Sequence, residues 1–200
     1  FLVRIETTNR ELYERFHPGM DFDRRLECLQ DLRILGFEVG TGCLVGLPGQ
    51  TMEDLAADLL FFQEIDADMI GLGPFVPNPD TPLAGEAGGT FTLARKVMAL
   101  ARLLRPDANI PATTAMEALD PNGRILALLS GANVIMPNVS DEAFRNLYML
   151  YPGKPGVRGN AADFRREIAD KIAAIGRTVG TGKGFRRRRP ELSAKDGEEV

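Results

Sequence analysis

The sequence predicts an α/β fold, a partial TIM-type (βα) barrel with about five βα units. Short β-rich runs alternate with longer amphipathic helical patterns, which is typical of repeated βα units on a parallel sheet. Five strands cannot close a barrel of eight, and an open parallel sheet would leave its edges unpaired. We therefore expect the C-terminal part of a barrel. The first residue, Phe1, lies inside an apolar run without an initiator Met, which indicates a fragment.

Each predicted element depends on the periodicity of its apolar residues. Five short runs rich in β-formers are predicted strands: residues 1–6, 38–47, 69–72, 110–114 and 133–136. Four longer stretches have apolar residues at helical spacing: Phe22–Leu35, Met52–Phe62, Leu93–Leu104 and Phe164–Ile175. Together these elements predict one domain over residues 1–181.

The C-terminal residues 182–200 contain Arg186–Arg189 followed by mixed charges. This composition predicts a disordered tail, and an Arg-rich arm for nucleic acid is the alternative. The net charge of -4 argues against a dedicated nucleic-acid surface elsewhere in the chain. No stretch approaches the roughly 20 apolar residues of a membrane span. We therefore expect neither nucleic acid nor membrane as a partner.

The chain has two cysteines, Cys28 and Cys43, and neither has a CxxC-type neighbour. They fall on a predicted helix and a predicted strand, which suits a reducing cytoplasm. These cysteines alone cannot form a metal or cluster site.

The first strand, FLVRIE, has one apolar face and one charged face. Successive side chains of a strand point to opposite sides, so Phe1, Val3 and Ile5 are expected to pack under helices. Arg4 and Glu6 would then point into the barrel, where an unpaired charge costs several kcal/mol. Either the two pair with each other or they meet a ligand.

Glycines recur on one face of the next two strands, at Gly40, Gly42 and Gly46 and again at Gly71 and Gly73. Bulky side chains normally fill a barrel interior, so inward glycines predict a cavity for an organic ligand. Glycines that mark bulges or close packing are the alternative.

The stretch Gly46–Thr51, GLPGQT, predicts a tight turn between a strand and a helix. Pro48 and Gly49 fix the turn, Thr51 can cap the helix, and acidic residues follow in the first helical turn. Such a turn can bring the strand end and free helix amides to one point.

GLPGQT also resembles the corresponding turn of radical S-adenosylmethionine (radical-SAM) enzymes. Six further motifs, in order along residues 1–154, resemble the HydE family of iron-iron hydrogenase maturases: RIETTN, HPGM, GLGPFVPNPDTPL, NIPATTAM, GANVIMPN and LYMLYPGK. Biotin synthase and methylornithine synthase share the barrel and the cofactor.

The resemblance implies a mechanism. In the family, a 4Fe-4S cluster held by a CxxxCxxC loop splits S-adenosylmethionine to a deoxyadenosyl radical, which acts on a substrate inside the barrel. For the HydE type that substrate is thought to be an iron-cysteine complex with carbon monoxide and cyanide. This sequence has no CxxxCxxC loop, so the chain alone is expected to be inactive. Some members bind a second cluster after YPGK, where this chain has no cysteine.

The resemblance also implies roles for individual residues. S-adenosylmethionine would contact five of them: Glu6 at the amino or ribose end, Arg25 at the methionine carboxylate, and Leu44, Pro74 and Phe75 through apolar contacts. The substrate would contact six others: Arg4, Thr113 and Thr114 as anion-holding groups, Met136 in the barrel lumen, and Tyr148 and Tyr151 as a cover. Without the resemblance, we would interpret Arg25 as a solvated charge on a helix, like Arg24. Met136 would be interpreted as a residue that packs in the core.

Three function classes stay open. The first is the C-terminal part of a HydE-type enzyme, for which other hydrogenase maturation proteins are conceivable partners beside a small-molecule or organometallic substrate. The second is a different radical-SAM enzyme of the biotin synthase or methylornithine synthase type. The third is a non-catalytic module that kept the cavity and lost its cluster. The only histidine, His17, precedes Pro18 in a turn and reads as a local structural residue.

Overall fold

The computed structural model describes residues 1–138, 141–145, 147, 151 and 161–186. Within them lie two regular strands, β1 (Gly40–Val45) and β2 (Met69–Pro74). The helices in the same residues are α1 (Arg10–Phe16), α2 (Phe22–Ile34), α3 (Met52–Glu64), α4 (Phe91–Leu104), α5 (Thr114–Leu119), α6 (Gly123–Leu129), α7 (Glu142–Arg145) and α8 (Ala161–Ala174). None of these helices combines the length and apolar character that a membrane crossing needs.

Five extended segments lie side by side in chain order. β1 and β2 pair in parallel with Gly42 opposite Gly71. Isolated parallel bridges continue the order on both sides, at Leu2–Gly40 and Glu6–Cys43 before β1 and at Met69–Asn109 and Pro111–Val134 after β2. The predicted succession of parallel strands, and with it the partial barrel, is therefore confirmed.

Three of the five predicted strands are much shorter than expected. Isolated β-bridges replace a regular ladder in three ranges: 1–6, 110–114 and 133–136. Pro111 has no N–H to donate to a neighbouring strand, and Thr113 already serves as the N-cap residue of α5. Thr114 therefore opens a helix, although the sequence placed it on a strand.

The hydrophobic core lies between the helices and the outward face of the sheet. Ile5, Cys43, Val45, Ile70 and Leu72 are completely buried there, and α3 and α4 cover them. The four predicted helical stripes correspond to α2, α3, α4 and α8. For three residues of these stripes the predicted burial is wrong, because at least half of each is exposed: Leu35, Met52 and Leu100.

The first strand follows its predicted alternation only in part. Ile5 is fully buried, but Phe1 is 69% exposed and packs edge-on against Phe37 with ring centroids 6.5 Å apart. Phe1 is thus not under a helix. Val3 N donates to Gly40 O at 2.9 Å, so the pairing of the strand itself is in place.

Gly42 is required by a backbone contact, which corrects the expectation that it empties the lumen. A Cβ at Gly42 would lie 2.0 Å from the carbonyl oxygen of Gly71. Gly46 is no strand residue at all, since it follows β1 with a φ of 87°. Gly40 and Gly73 are closely packed too, because added Cβ atoms would meet side-chain atoms of Leu2 and Thr113, each at 2.8 Å. Close packing therefore explains more of these glycines than the cavity does.

An ionic cluster closes the end of the sheet where the strands begin. The Arg186 side chain, 6% exposed, bonds Asp107 at 2.7 Å, Asp66 at 2.9 Å and Asp68 at 3.1 Å. Asp68 also accepts from Val39 N at 2.8 Å and pairs with Arg33 at 2.5 Å. The packed part of the chain therefore reaches Arg186, beyond the expected boundary at residue 181. Residues 187–200 lie outside the described part.

Opposite glycines on β1 and β2 provide a matched test of the close strand contact. Gly42→Ala is expected to lower the free energy of unfolding by about 3 kcal/mol or to prevent folding, because backbone must move to admit the methyl group. Gly71→Ala should change it by less than about 1 kcal/mol, since its Cβ would meet Thr41 O at 3.6 Å, an ordinary contact. Urea unfolding of both variants of the full-length protein measures the difference. Equal stability of the two variants would contradict the close contact.

Candidate functional site

The predicted site residues gather where the parallel segments end. Four of them lie at or next to the ends of four successive segments: Glu6, Leu44, Pro74 and Thr113. In a (βα) barrel, ligands bind at these strand ends. Tyr148 lies outside the described residues.

Arg4 and Glu6 are paired at the end of the first segment. Arg4 Nη2 lies 3.2 Å from Glu6 Oε2 and donates to Cys43 O at 2.6 Å. The side chains are 29% and 20% exposed. The pairing fits the alternative of an internal ion pair, yet Arg4 Nε is buried with no hydrogen-bond partner in the described part of the chain. Arg4 can therefore still donate a hydrogen bond to a further polar group.

Glu6 stands in a strained backbone conformation. Its φ of 67° is in the left-handed region, where a residue with a Cβ loses about 1–2 kcal/mol. Burial raises the pKa of its carboxyl, while the nearby positive charges of Arg4, His17 and Arg25 lower it in part. A strained, half-buried carboxylate amid positive charges is a common feature of ligand sites.

Arg25 reaches this pair from α2. Its Nη1 donates to Arg4 O at 3.2 Å and its Nε donates to Tyr13 OH at 3.2 Å. Its Nη2 contacts Met20 Sδ at 3.8 Å, and a thioether is a weak acceptor. Arg25 is therefore held in place with donor capacity to spare, whereas Arg24 is exposed and pairs with Glu27 at 2.7 Å.

Tyr13 orients Arg25, and nothing in the sequence marked it. It is fully buried on α1, and the ring of His17 stacks on it with centroids 4.4 Å apart. His17 also bonds Tyr13 O at 3.0 Å through Nδ1, which agrees with a local structural role for this histidine.

The turn after β1 is closed by Gln50. Its Oε1 accepts from Gly46 N at 2.7 Å and Leu47 N at 3.3 Å, and its Nε2 donates to Leu44 O at 3.0 Å. Thr51 caps α3, as predicted, and it also forms a capping box with Asp54. These turn amides are already bonded, so the turn offers fewer free donors than the sequence indicated. Its effect on the site is to fix Leu44, which is half-buried.

The apolar residues after β2 are firmly held. Pro74 ends β2, and Phe75 is 8% exposed. Phe75 N donates to Val45 O at 2.9 Å and Phe75 O accepts from Gly89 N at 2.8 Å. Both residues thus form a rigid wall beside the end of β1.

Four predicted substrate residues that follow β2 in the chain are described. Thr113 Oγ1 is buried without a hydrogen-bond partner in the part of the chain that the structure covers. Thr114 Oγ1 and Tyr151 OH are 2.5 Å apart, and burial raises the pKa of Tyr151. Met136 is 52% exposed, so it does not pack in the core.

A second feature missed by the sequence analysis is Asp58 on α3. It is fully buried, and its Oδ1 accepts from Thr8 N at 2.6 Å and Thr8 Oγ1 at 2.8 Å. Burial raises the pKa of Asp58 from its ordinary value of 3.8 to about 6 against the opposing effect of these hydrogen bonds. Only the i, i+4 spacing of Asp54 and Asp58 could have drawn attention to it.

Comparison with known proteins identifies the class. Residues 1–62 match the family model of the Radical SAM superfamily. A crystal structure of methylornithine synthase (PylB) superposes with a TM-score of 0.69 at 24% identity, covering 90% of this chain and 51% of that one. The chain belongs to the radical SAM superfamily and has part of its TIM-type barrel.

Within the superfamily the HydE resemblance is confirmed. The [FeFe] hydrogenase maturase subunit HydE of Thermotoga maritima is 50% identical over 188 residues, which are 94% of this chain and 54% of the relative. 3-Methylornithine synthase of Methanosarcina barkeri is 32% identical over 65% of this chain and 36% of its own length. Biotin synthase of Chlorobium phaeovibrioides is 33% identical over 56% of this chain and 33% of its own length. The chain spans about half the length, or less, of these relatives.

The raised pKa of Asp58 predicts a pH dependence of stability. Between pH 4 and 7 the folded state holds a proton that the unfolded state has released, so stability falls as pH rises. Relative to Asp58→Asn, the wild type should lose about 2 kcal/mol over this range. Chemical unfolding of the full-length protein at pH 4, 5.5 and 7 measures the difference. Glu53→Gln, exposed on the same helix, is the control and should leave the slope unchanged. A constant difference between wild type and Asp58→Asn contradicts the assignment.

Proposed function

We propose that this chain is the C-terminal part of a radical-SAM enzyme of the HydE type, which acts in assembly of the iron-iron hydrogenase active-site cluster. The observation that carries the proposal is the strained, half-buried Glu6, paired with Arg4 and approached by Arg25 at the working face of the barrel. The 50% identity to HydE over nearly the whole chain supports it.

S-adenosylmethionine fits the hydrogen-bonding groups that are still available at this end of the sheet. Glu6 Oε2 is buried and ion-paired with Arg4 Nη2 at 3.2 Å but makes no hydrogen bond among the described residues, so it can also accept from the amino or ribose end of the cofactor. The Nη2 group of Arg25 can bond the methionine carboxylate. Leu44, Pro74 and Phe75 would supply the apolar wall.

The 4Fe-4S cluster does not fit residues of this chain. Cys43 is completely buried, and burial together with the charge of Asp58 raises the pKa of its thiol well above the usual value. Among the described residues no group of three or more His, Cys, Asp and Glu could hold a metal ion. On this proposal the cluster ligands would belong to a CxxxCxxC loop elsewhere in the full-length protein.

The residues of this chain would bind and orient the reactants. Bound together, the cluster and S-adenosylmethionine would supply one-electron radical chemistry. Arg25 would hold the cofactor carboxylate, Glu6 its opposite end, and the buried wall beside β1 would exclude water.

The substrate would lie across the lumen from the cofactor. The Thr113 hydroxyl has no hydrogen-bond partner among the described residues, and the Thr114–Tyr151 hydrogen bond fixes two more polar groups. With the Arg4 guanidinium they would form an anion-binding set that suits a carboxylate or cyanide. Met136, whose side chain is half exposed, and Tyr148 would complete the enclosure. An organometallic substrate with anionic ligands is the proposed class.

The free thiols of Cys28 and Cys43 support a reducing compartment, and we place the enzyme in the cytoplasm. Other hydrogenase maturation proteins are its proposed partners, with no nucleic acid and no membrane.

The full-length sequence gives the first test. It should carry CxxxCxxC upstream of the residue numbered Phe1, and the purified protein should hold one 4Fe-4S cluster and cleave S-adenosylmethionine when reduced. Iron analysis and a cleavage assay measure both. A full-length protein without the cysteine triad would instead be a non-catalytic binding module, and a triad with no hydrogenase maturation activity would favour a biotin synthase or methylornithine synthase type.

Neighbouring arginines on α2 test the cofactor assignment. Arg25→Ala is expected to weaken S-adenosylmethionine binding about tenfold or more, since charge-assisted hydrogen bonds contribute about 1.5–3 kcal/mol. Arg24→Ala is the control and should change the affinity less than about twofold, because surface ion pairs contribute little. Titration of the cluster-loaded protein measures both dissociation constants. Equal effects of the two variants would refute the role of Arg25.

A further inference from the structure

We propose that Asp58 is a positioning residue, which anchors the segment after Glu6 to α3 and so holds the Glu6 carboxylate in place for S-adenosylmethionine. This inference rests on the proposed function, because it assigns Glu6 to the cofactor. It adds a residue of α3 to a site that otherwise consists of strand ends and Arg25 of α2.

Glu6 needs restraint on both sides, because its left-handed φ of 67° is unfavourable for a residue with a side chain. On one side β1 supplies it. Glu6 N donates to Gly42 O at 3.0 Å, and Glu6 O accepts from Leu44 N at 3.1 Å. These two bonds fix the peptide groups that flank Glu6, but they leave the direction of the following residues open.

On the other side α3 supplies the restraint. Thr8 donates both its N–H and its hydroxyl to Asp58 Oδ1, at 2.6 and 2.8 Å. Asn9 Nδ2 donates to Asp54 Oδ1 at 2.9 Å. Asp54 and Asp58 are one helical turn apart on the same face of α3. One helix face thus binds two consecutive residues, Thr8 and Asn9, just beyond Glu6. Thr7, which lies between Glu6 and Thr8, is completely buried.

Packing alone does not explain a carboxylate at this position. Asp58 lies on the buried face of α3 with Leu55, Leu59 and Phe62, and it is itself completely buried. Its Oδ2 makes no hydrogen bond to a nitrogen or oxygen within the described residues, and the buried Cys43 thiol is close enough to interact with the carboxyl. A buried carboxylate that is only partly satisfied lowers stability, and an apolar residue would serve the core better. What Asp58 provides is the pair of bonds to Thr8.

The test uses the full-length protein with its cluster reconstituted, and S-adenosylmethionine as the titrant. Asp58→Ala removes both bonds to Thr8 and should raise the dissociation constant at least tenfold. Asp58→Asn keeps an oxygen that accepts both bonds, so it should stay within threefold of wild type. Leu59→Ala, at the next residue on the helix, lowers stability but removes no hydrogen bond to the Glu6 segment, and it should also stay within threefold.

The electron paramagnetic resonance spectrum of the reduced cluster gives a second readout. On addition of S-adenosylmethionine it should change in wild type, Asp58→Asn and Leu59→Ala, and much less in Asp58→Ala at the same concentration. Unfolding midpoints recorded in parallel separate affinity from stability.

Three results would overturn the inference: wild-type affinity in Asp58→Ala, an equal loss in Asp58→Asn, or a loss in Leu59→Ala as large as in Asp58→Ala, which would mean that affinity follows stability. If Asp58→Ala does not fold, Thr8→Val decides, with a loss of at least threefold expected and unchanged affinity contradicting the anchor. Failure of the wild type to bind S-adenosylmethionine would refute the proposed function instead.

Discussion

The register between the first segment and β1 determines where every charged group of the candidate site lies. Four backbone hydrogen bonds fix it: from Gly40 N to Phe1 O, from Val3 N to Gly40 O, from Glu6 N to Gly42 O and from Leu44 N to Glu6 O. Because side chains alternate along a strand, a slip of one residue would turn Arg4 and Glu6 into the apolar core and Ile5 out of it. The close contact of Gly42 with Gly71 adds a steric constraint to the next pair of strands. The site therefore depends on backbone pairing before any side-chain contact.

The two ends of the sheet use their charges differently. At the end where the strands begin, Asp66, Asp68 and Asp107 are matched by arginines from α2, α4 and the C-terminal segment, and Asp68 also bonds the Val39 amide. At the opposite end, Arg4, Glu6 and Thr113 retain polar atoms without partners among the described residues. Ion pairs at one end hold the βα units together, and polar groups at the other end are available for ligands, which is the usual division in (βα) barrels.

The sequence predicted what local patterns determine. The order of parallel strands, the helices α2, α3, α4 and α8, and the capping turn at Thr51 follow from periodicity and turn chemistry within a few residues. The sequence did not predict the contacts of Tyr13 with Arg25 or of Asp58 with Thr8, which join residues 12 and 50 positions apart. Their side chains carry no local signal of a partner, because a buried Tyr or Asp on a helix face has the same spacing as ordinary core residues.

The residue pair that the resemblance divides between two ligands is one electrostatic unit. Arg4 is assigned to the substrate and Glu6 to the cofactor, yet their charged atoms are 3.2 Å apart and the Arg4 charge lowers the pKa of Glu6 against the effect of burial. An anion bound to Arg4 would weaken its hold on Glu6, and a cation bound to Glu6 would free Arg4 for an anion. By linkage such effects are reciprocal. Removal of Arg4 is therefore expected to alter cofactor binding as well as substrate binding, which the separate roles inferred from sequence did not anticipate.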